Sequence, residues 1–244
     1  FQPDGSTRRT DQLAVGDTLM EYEAPPLRSD PPLALWQLGW LGILIGDGCL
    51  RRADVGFTAS AGSRVLRDLP PLPSGCRLAQ MPSDLKEFRI WRTTRAGVGR
   101  RNPLVEWVSE CGLMGTTSRT KFIPPCLYRQ PTTAIAYFLR HLWNCDGTVG
   151  MRQAGYCSTS RQLAYGVKYL LWKIGIPASL YETDGVCGFT GKLVHSFRVT
   201  VSAGGLERFT AAMAGQSFDA ISTSVIARGK ILSITPVDNA PVYC

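Results

Sequence analysis

Two aspartates 99 positions apart, Asp47 and Asp146, are the residues of this 244-residue chain best placed to do chemistry. Each closes an apolar run of helical spacing and is followed by glycine: Trp40-Leu41-Gly42-Ile43-Leu44-Ile45-Gly46-Asp47-Gly48 and Leu139-Arg140-His141-Leu142-Trp143-Asn144-Cys145-Asp146-Gly147. A carboxylate at the C-terminal end of a helix meets the negative end of the helix dipole, which is unfavourable unless a cation joins it. Two such helices packed side by side bring both acids to one end, and crowded carboxylates invite a divalent metal ion. The two histidines, His141 and His195, are too few and too poorly placed for a histidine–metal nuclease. The eight cysteines form no Cys-x-x-Cys, so a zinc site is improbable, and several read as small buried thiols.

The elements that must position these acids can be read in part. Gly39, Gly42 and Gly46 fall on one helical face. Glycine in a helix interior costs about 1 kcal/mol against alanine, so three on one face imply close approach of a second helix. Gly48 is expected to take the left-handed conformation that ends the first helix. Pro25, Pro26, Pro31 and Pro32 make a linker, and the first helix is expected from near Leu33 to Asp47. Asn102-Pro103 opens another helix with a capping side chain and proline at its first position, ending near Gly112. Ser160 opens a long helix whose stripe is Leu163, Val167, Leu170 and Ile174 and which ends at Gly175, with Trp172 packing beside it. A further helix is expected over Glu207 to Met213.

The order of elements repeats. Gly56-Phe57-Thr58-Ala59-Ser60 parallels Tyr156-Cys157-Ser158-Thr159-Ser160 at an offset of 100, and Phe88-Arg89-Ile90-Trp91 parallels Phe197-Arg198-Val199-Thr200 at an offset of 109. Ser63-Arg64 and Ser160-Arg161 each open a segment of helical spacing. An internal duplication follows, each unit reading helix, strand, strand, helix, strand, strand, helix. Alternation in the strands puts apolar residues on the helices and leaves a polar face outward. Arg89 and Arg92 in the first unit and Arg198, Thr200 and Ser202 in the second, with Arg51 and Arg52 after the first acid, are the expected contacts to base edges and phosphates. A formal net charge of +8 and a pI of about 9.2, with arginine the main cation, suit an anionic partner. There is no signal peptide and no run of about 18 apolar residues, so a membrane partner is not expected and the cytoplasm is the default compartment.

Both acid-bearing segments resemble the LAGLIDADG motif of homing endonucleases, in the two-motif, single-chain form found inside inteins. The first matches at its Gly and Asp-Gly positions. In the second, His141 stands where glycine is common and Cys145 where alanine is usual. Arg119-Thr120-Lys121-Phe122-Ile123-Pro124 resembles the Lys-x-Ile-Pro block that precedes the second motif. The ends carry a second likeness: Leu13-Ala14-Val15-Gly16-Asp17 with Thr18-Leu19-Met20, and Lys230 to Thr235 with Pro241-Val242-Tyr243-Cys244, resemble segments of an intein (Hint) splicing domain that pair across an inserted endonuclease. The splicing residues themselves are missing from the chain. The flanking blocks look most like inteins of replicative DNA helicases.

The resemblance implies an α+β fold of two pseudo-symmetric αββαββα repeats with flanking β segments of a Hint-type domain. The expected divisions are 1–30 and 226–244 for the splicing segments, and 31–130 and 131–225 for the repeats. It implies that Gly39, Gly42, Gly46, His141 and Cys145 lie at the interface of the motif helices. Asp47 and Asp146, with the preceding Gly46 and Cys145, would hold Mg²⁺. Lys121 would stabilise the attacking hydroxide or the phosphate charge. The position equivalent to Lys121 in the second unit is Ala220, and Lys192 is the substitute there. The implied activity is a site-specific double-strand cut of DNA at the empty insertion site, by a monomer with internal twofold pseudo-symmetry that is part of a larger intein and host protein. Two alternatives stand beside it: a LAGLIDADG DNA-binding module that has lost cleavage, and a fragment of a protein-splicing element.

Overall fold

A computed structural model describes residues 12–21, 31–50, 55–93, 102–186, 191, 193–215 and 227–230. The chain divides into two compact units, residues 1–25 with 220–244, and residues 26–219. In the first unit β1 (Thr18–Glu21) and β10 (Ala227–Lys230) pair antiparallel, with Thr18 opposite Lys230. The turn before β1 is built by Asp17, whose carboxylate accepts from the Ala14 N–H at 2.9 Å while Gly16 supplies a φ of 96°.

The second unit contains two copies of one topology. The first copy runs α1 (Leu35–Gly46), β2 (Gly48–Cys49), β3 (Gly56–Thr58), α2 (Arg64–Arg67), β4 (Cys76–Met81), β5 (Asp84–Arg92), α3 (Pro103–Glu110). The second runs α4 (Thr132–Asp146), β6 (Gly147–Val149), β7 (Ala154–Ser158), α5 (Arg161–Lys173), β8 (Ala178–Val186), β9 (Leu193–Val201), α6 (Ala203–Met213). Each copy folds its strands into a four-stranded antiparallel sheet, in the orders β2-β3-β5-β4 and β6-β7-β9-β8. The fold is therefore α+β, as the duplication in the sequence predicts.

Local signals account for the helix boundaries. The Asn102 side chain accepts from Leu104 N–H at 2.9 Å with Pro103 behind it, and Gly112 follows α3 at a φ of 72°. Ser160 Oγ accepts from Leu163 N–H at 3.2 Å, Leu163, Val167, Leu170 and Ile174 are buried, and Gly175 turns the chain at φ 74°. Trp172 stacks obliquely on Tyr169, with ring centres 5.5 Å apart. Helix α6 starts at Ala203 rather than Glu207, because Gly205 lets it close onto Val201 and Pro177, within 3.3 Å of where a Cβ would sit. Ser202 is thereby removed from the strand: it is the residue before α6, and the outward face of β9 ends at Thr200.

Strand pairing corrects the expected repeat alignment. Gly48 faces Phe57 as Gly147 faces Tyr156, so the offset there is 99, not 100. Phe57 then faces Phe88 as Tyr156 faces Val199, so Phe88 corresponds to Val199 at an offset of 111, not 109. The similarity of Phe88-Arg89 to Phe197-Arg198 misleads by two residues. A slip of two preserves which face a side chain occupies, but changes which residue lies next to the acid.

No described helix is long and apolar enough to cross a membrane.

Candidate active site

Helices α1 and α4 cross at the glycine face. A Cβ on Gly42 would lie 2.8 Å from Phe138 O and from His141 Cβ, and one on Gly46 would lie 2.5 Å from Cys145 Cβ. A Cβ on Gly39 would meet Pro70 Cβ at 2.4 Å and His141 Cδ2 at 3.1 Å. The five residues expected at the interface thus all lie there. His141 is 1% exposed, stacks edge-on against Tyr137 at 4.6 Å, and has no hydrogen-bond partner at either ring nitrogen. Burial lowers its pKa to about 4, with the nearby Asp68 opposing the shift and Arg140 adding to it. A histidine with a depressed pKa binds its proton more readily when unfolded, so the chain loses stability as pH falls from 6.5 towards 4. His141→Leu should therefore be neutral or stabilising by about 1 kcal/mol at pH 7.5. Its advantage over the parent should grow at pH 5, as read by urea unfolding at the two pH values.

Both helices run straight from their last turn into a strand. Asp47 is the residue after the last helical position of α1, at φ −94° and ψ 3°, and Asp146 is the last residue of α4. The left-handed conformation expected of Gly48 is not used, and Gly147 does not adopt it either. Gly147 is extended at φ −85° and ψ 149°, and Gly48 is absent from the positive-φ glycines. Their lack of a side chain serves close approach instead: a Cβ would sit 2.4 Å from Leu44 O on Gly48 and 2.0 Å from Trp143 Cδ1 on Gly147.

The two carboxylates come together in a partly dry place. Burial and the neighbouring Asp146 charge raise the Asp47 pKa to about 6, against lowering contributions from Cys145 and Lys121. Burial also raises Asp146, with Lys121 opposing it. Lys121 lies between the two turns, 6% exposed, and its Nζ donates to Gly46 O at 2.9 Å and Gly48 O at 3.0 Å. Its backbone is anchored from the second repeat, where Ser160 Oγ donates to Lys121 O at 2.6 Å. Burial lowers the Lys121 pKa, while Asp146 and Asp47 hold it up.

Each acid lines its own cavity. Asp146 shares one of about 210 Å³ with Lys121, Tyr156 and Cys157, and Asp47 one of about 170 Å³ with Cys49, Glu87 and Arg89. Tyr156, which no motif in the sequence marks, carries a phenol raised by burial and by the nearby Asp146. Its counterpart Phe57 has no such group, so the two cavities differ chemically.

The donor set fits a hard divalent cation. Two neighbouring carboxylates whose ionisation is disfavoured by burial, and at Asp47 also by the Asp146 charge, gain from a cation between them, and Mg²⁺ takes one or two carboxylates and keeps several waters. Among the described residues no group of three or more His, Cys, Asp or Glu side chains forms a closed metal cage. Cys145 does not fit as a thiolate ligand: its Sγ points at His141 O, 3.4 Å away, and burial and Asp47 hold the thiol protonated. Gly46 has one carbonyl lone pair taken by Lys121.

The outward faces of the sheets carry part of the expected polar set. Arg89 is half-buried beside Asp47 and paired with Glu87 at 2.8 Å, and Arg198 is exposed between Cys157 and Tyr181. Thr200 is half-buried opposite Gly155 and Ser179. Arg92 is a correction: by alternation it shares the face of the buried Phe88 and Ile90, and its charge acts on Cys76. The outward residue there is Trp91, covered by Arg77 with 5.2 Å between guanidinium and ring, a pair that the alternation in Cys76-Arg77-Leu78 could have signalled. Arg51, Arg52 and Lys192, with Ala220, lie outside the described residues.

Residues 133–212 match the family model of the LAGLIDADG-like domain. The chain carries a LAGLIDADG-like domain. A mesophilic variant of the homing endonuclease I-DmoI shares the LAGLIDADG fold with it, at a TM-score of 0.51 and 9% identity over 75% of this chain and 96% of that one. The replicative DNA helicase DnaB of Rhodothermus marinus is 34% identical over 71% of this chain. That of Synechocystis sp. is 30% identical over 80%. The chain spans about a fifth of the length of these helicases, 20% and 23% respectively. The family match covers α4 to α6.

Proposed function

We propose that the chain is a site-specific DNA endonuclease of the intein-homing kind, cutting both strands with Mg²⁺ at the empty insertion site of a replicative helicase gene. The observation that carries this reading is the meeting of Asp47 and Asp146 at paired helix ends with the Lys121 ammonium between them. The match to about a fifth of each helicase supports an inserted element within a longer host. The β1–β10 pair brings the two flanking segments together, as the ends of an interrupted Hint domain would be. We read 1–30 and 226–244 as those segments, 31–130 and 131–225 as the repeats, and the protein as a cytoplasmic monomer with internal pseudo-symmetry.

When bound, Mg²⁺ supplies Lewis-acid stabilisation of the phosphate charge and acidifies the attacking water. Asp47 and Asp146 would hold it through their carboxylates. Lys121 spends two of its three donors on Gly46 O and Gly48 O, which leaves one for the phosphate or the attacking water. Arg89, Arg198 and Thr200 hold the duplex from the outward sheet faces, and Arg51 and Arg52 are further contacts.

The test is incubation of a linear duplex carrying the uninterrupted helicase-gene junction with the chain in Mg²⁺ or in Ca²⁺. A double-strand cut in Mg²⁺ and binding without cutting in Ca²⁺ is the expected result. Binding in both without cutting would replace the reading by a DNA-binding module that has lost cleavage. Lys121→Met should lower the cutting rate by about 10²–10³, with DNA affinity in Ca²⁺ changed far less. Equal losses in rate and affinity would make Lys121 a binding residue only.

A further inference from the structure

The two Asp-Gly turns occupy equivalent places, and each has its glycine carbonyl bound by a cation. Gly48 O accepts from Lys121 Nζ at 3.0 Å. Gly147 O accepts from Arg64 Nη2, the guanidinium of the first residue of α2. Both cations precede the second motif helix in the chain, and Arg64 reaches across from the first repeat to the second. Its sequence counterpart, Arg161, does not return the contact; it stacks over Tyr165 at 5.2 Å, and the carbonyl it would take is held by Lys121.

Arg64 is held in a frame. One helical turn along α2, the Asp68 carboxylate accepts from Arg140 Nε at 2.6 Å and from Asn144 Nδ2 at 2.8 Å. These donors stand on α4, six and two residues before Asp146. The short helix is thus clamped to the motif helix whose end Arg64 ties. Arg64 lines an open cavity of about 310 Å³ with Arg67 and Trp143, so its head is not packed as Lys121 is. The contact that Arg64 makes with the turn is to its backbone, at Gly147 O. Arg64 therefore acts on the turn through the backbone.

We propose that Arg64 is the positioning residue of the Asp146 turn, the counterpart of Lys121 at the Asp47 turn, and that it aims Asp146 by fixing the Gly147 carbonyl. The proposal rests on the nuclease reading for its consequence. Since Asp146 would hold the metal together with Asp47, loss of Arg64 should slow the cutting of both strands and leave DNA affinity in Ca²⁺ unchanged.

Two measurements on the full chain separate the proposal from that reading. The first is amide hydrogen exchange, without metal or DNA, in Arg64→Ala, Arg64→Lys and the parent. Gly147 and Thr148 pair with Tyr156 and Gly155, and β6 should exchange slowly while that pairing holds. Arg64→Ala should speed exchange at 147–149 and leave 48–49 unchanged, with Arg64→Lys between it and the parent. The second is cleavage of a linear duplex carrying the junction in Mg²⁺, beside its binding in Ca²⁺. A misaimed carboxylate should slow cutting about ten- to a hundredfold with binding in Ca²⁺ unchanged, and Arg64→Lys should restore part of the rate. Unchanged exchange at 147–149, exchange raised equally at both turns, or a loss of binding as large as the loss of rate would each overturn the proposal. If the parent cuts neither strand, the nuclease reading fails, and the exchange pattern alone decides for or against positioning by Arg64.

Discussion

Asp47→Asn and Asp146→Asn should each abolish cutting, by about 10³-fold or more, while the chain still binds its duplex in Ca²⁺. Asparagine keeps the shape of the side chain at the helix end and removes the charge that holds the metal. Metal-ion stabilisation of phosphoryl transfer is worth several kcal/mol, and about 4 kcal/mol is a thousandfold in rate. The same change should strengthen the fold at Asp47. The Asp47 pKa is raised to about 6 by burial and by Asp146. A carboxyl whose folded pKa is raised destabilises the metal-free chain above that value, and the penalty vanishes below the unfolded value of 3.8. Asp47→Asn should therefore melt about 2–5 °C higher than the parent at pH 7.5 without metal, with no such gain at pH 3.5. Lost activity with gained thermal stability is the signature of an acid held for function. A variant that lost both together would mark Asp47 as a structural residue. Cutting by the parent should also fall as pH drops through about 6, where the carboxyl takes up its proton in competition with the metal.

Gly42→Val should unfold or nearly unfold the chain, with a loss of about 3 kcal/mol or more. The added Cβ alone would lie 2.8 Å from Phe138 O and 2.9 Å from Leu142 N, both backbone atoms of α4. Neither can move without the helix, so α1 and α4 must separate along the seam that brings the two acids together. Gly185→Ala is the matched control, because nothing lies within 4 Å of its Cβ position, and it should stay within about 0.5 kcal/mol. Urea unfolding of the three proteins gives the comparison. A small loss in Gly42→Val would mean that the helices tolerate a wider crossing, and the account of the glycine face would be wrong. Overpacking here should also reduce cutting in the folded fraction, since the spacing of Asp47 and Asp146 is set by the same crossing.

The amino-acid sequence by itself determined the topology and the centre of the site. Its signals for these are local and periodic: glycines on one face of α1, Asp-Gly at two helix ends, Asn102 and Ser160 as caps, and alternation in β5 and β9. Each is a backbone or burial requirement that acts within a few residues, so it survives without knowledge of neighbours. What the tertiary structure alone decided depends on partners distant in the chain. Phe88 corresponds to Val199, and not to the similar Phe197, because pairing and not likeness of side chains sets register. Gly48 and Gly147 are glycines for close approach to Leu44 and Trp143, and not for a left-handed turn. Arg92 reads as basic surface until alternation from the buried Phe88 and Ile90 turns it inward. Arg64 carries no motif, and only the packing of α2 on α4 brings it to Gly147. A carbonyl's partner is a fact of three-dimensional proximity, and spacing along the chain does not encode it.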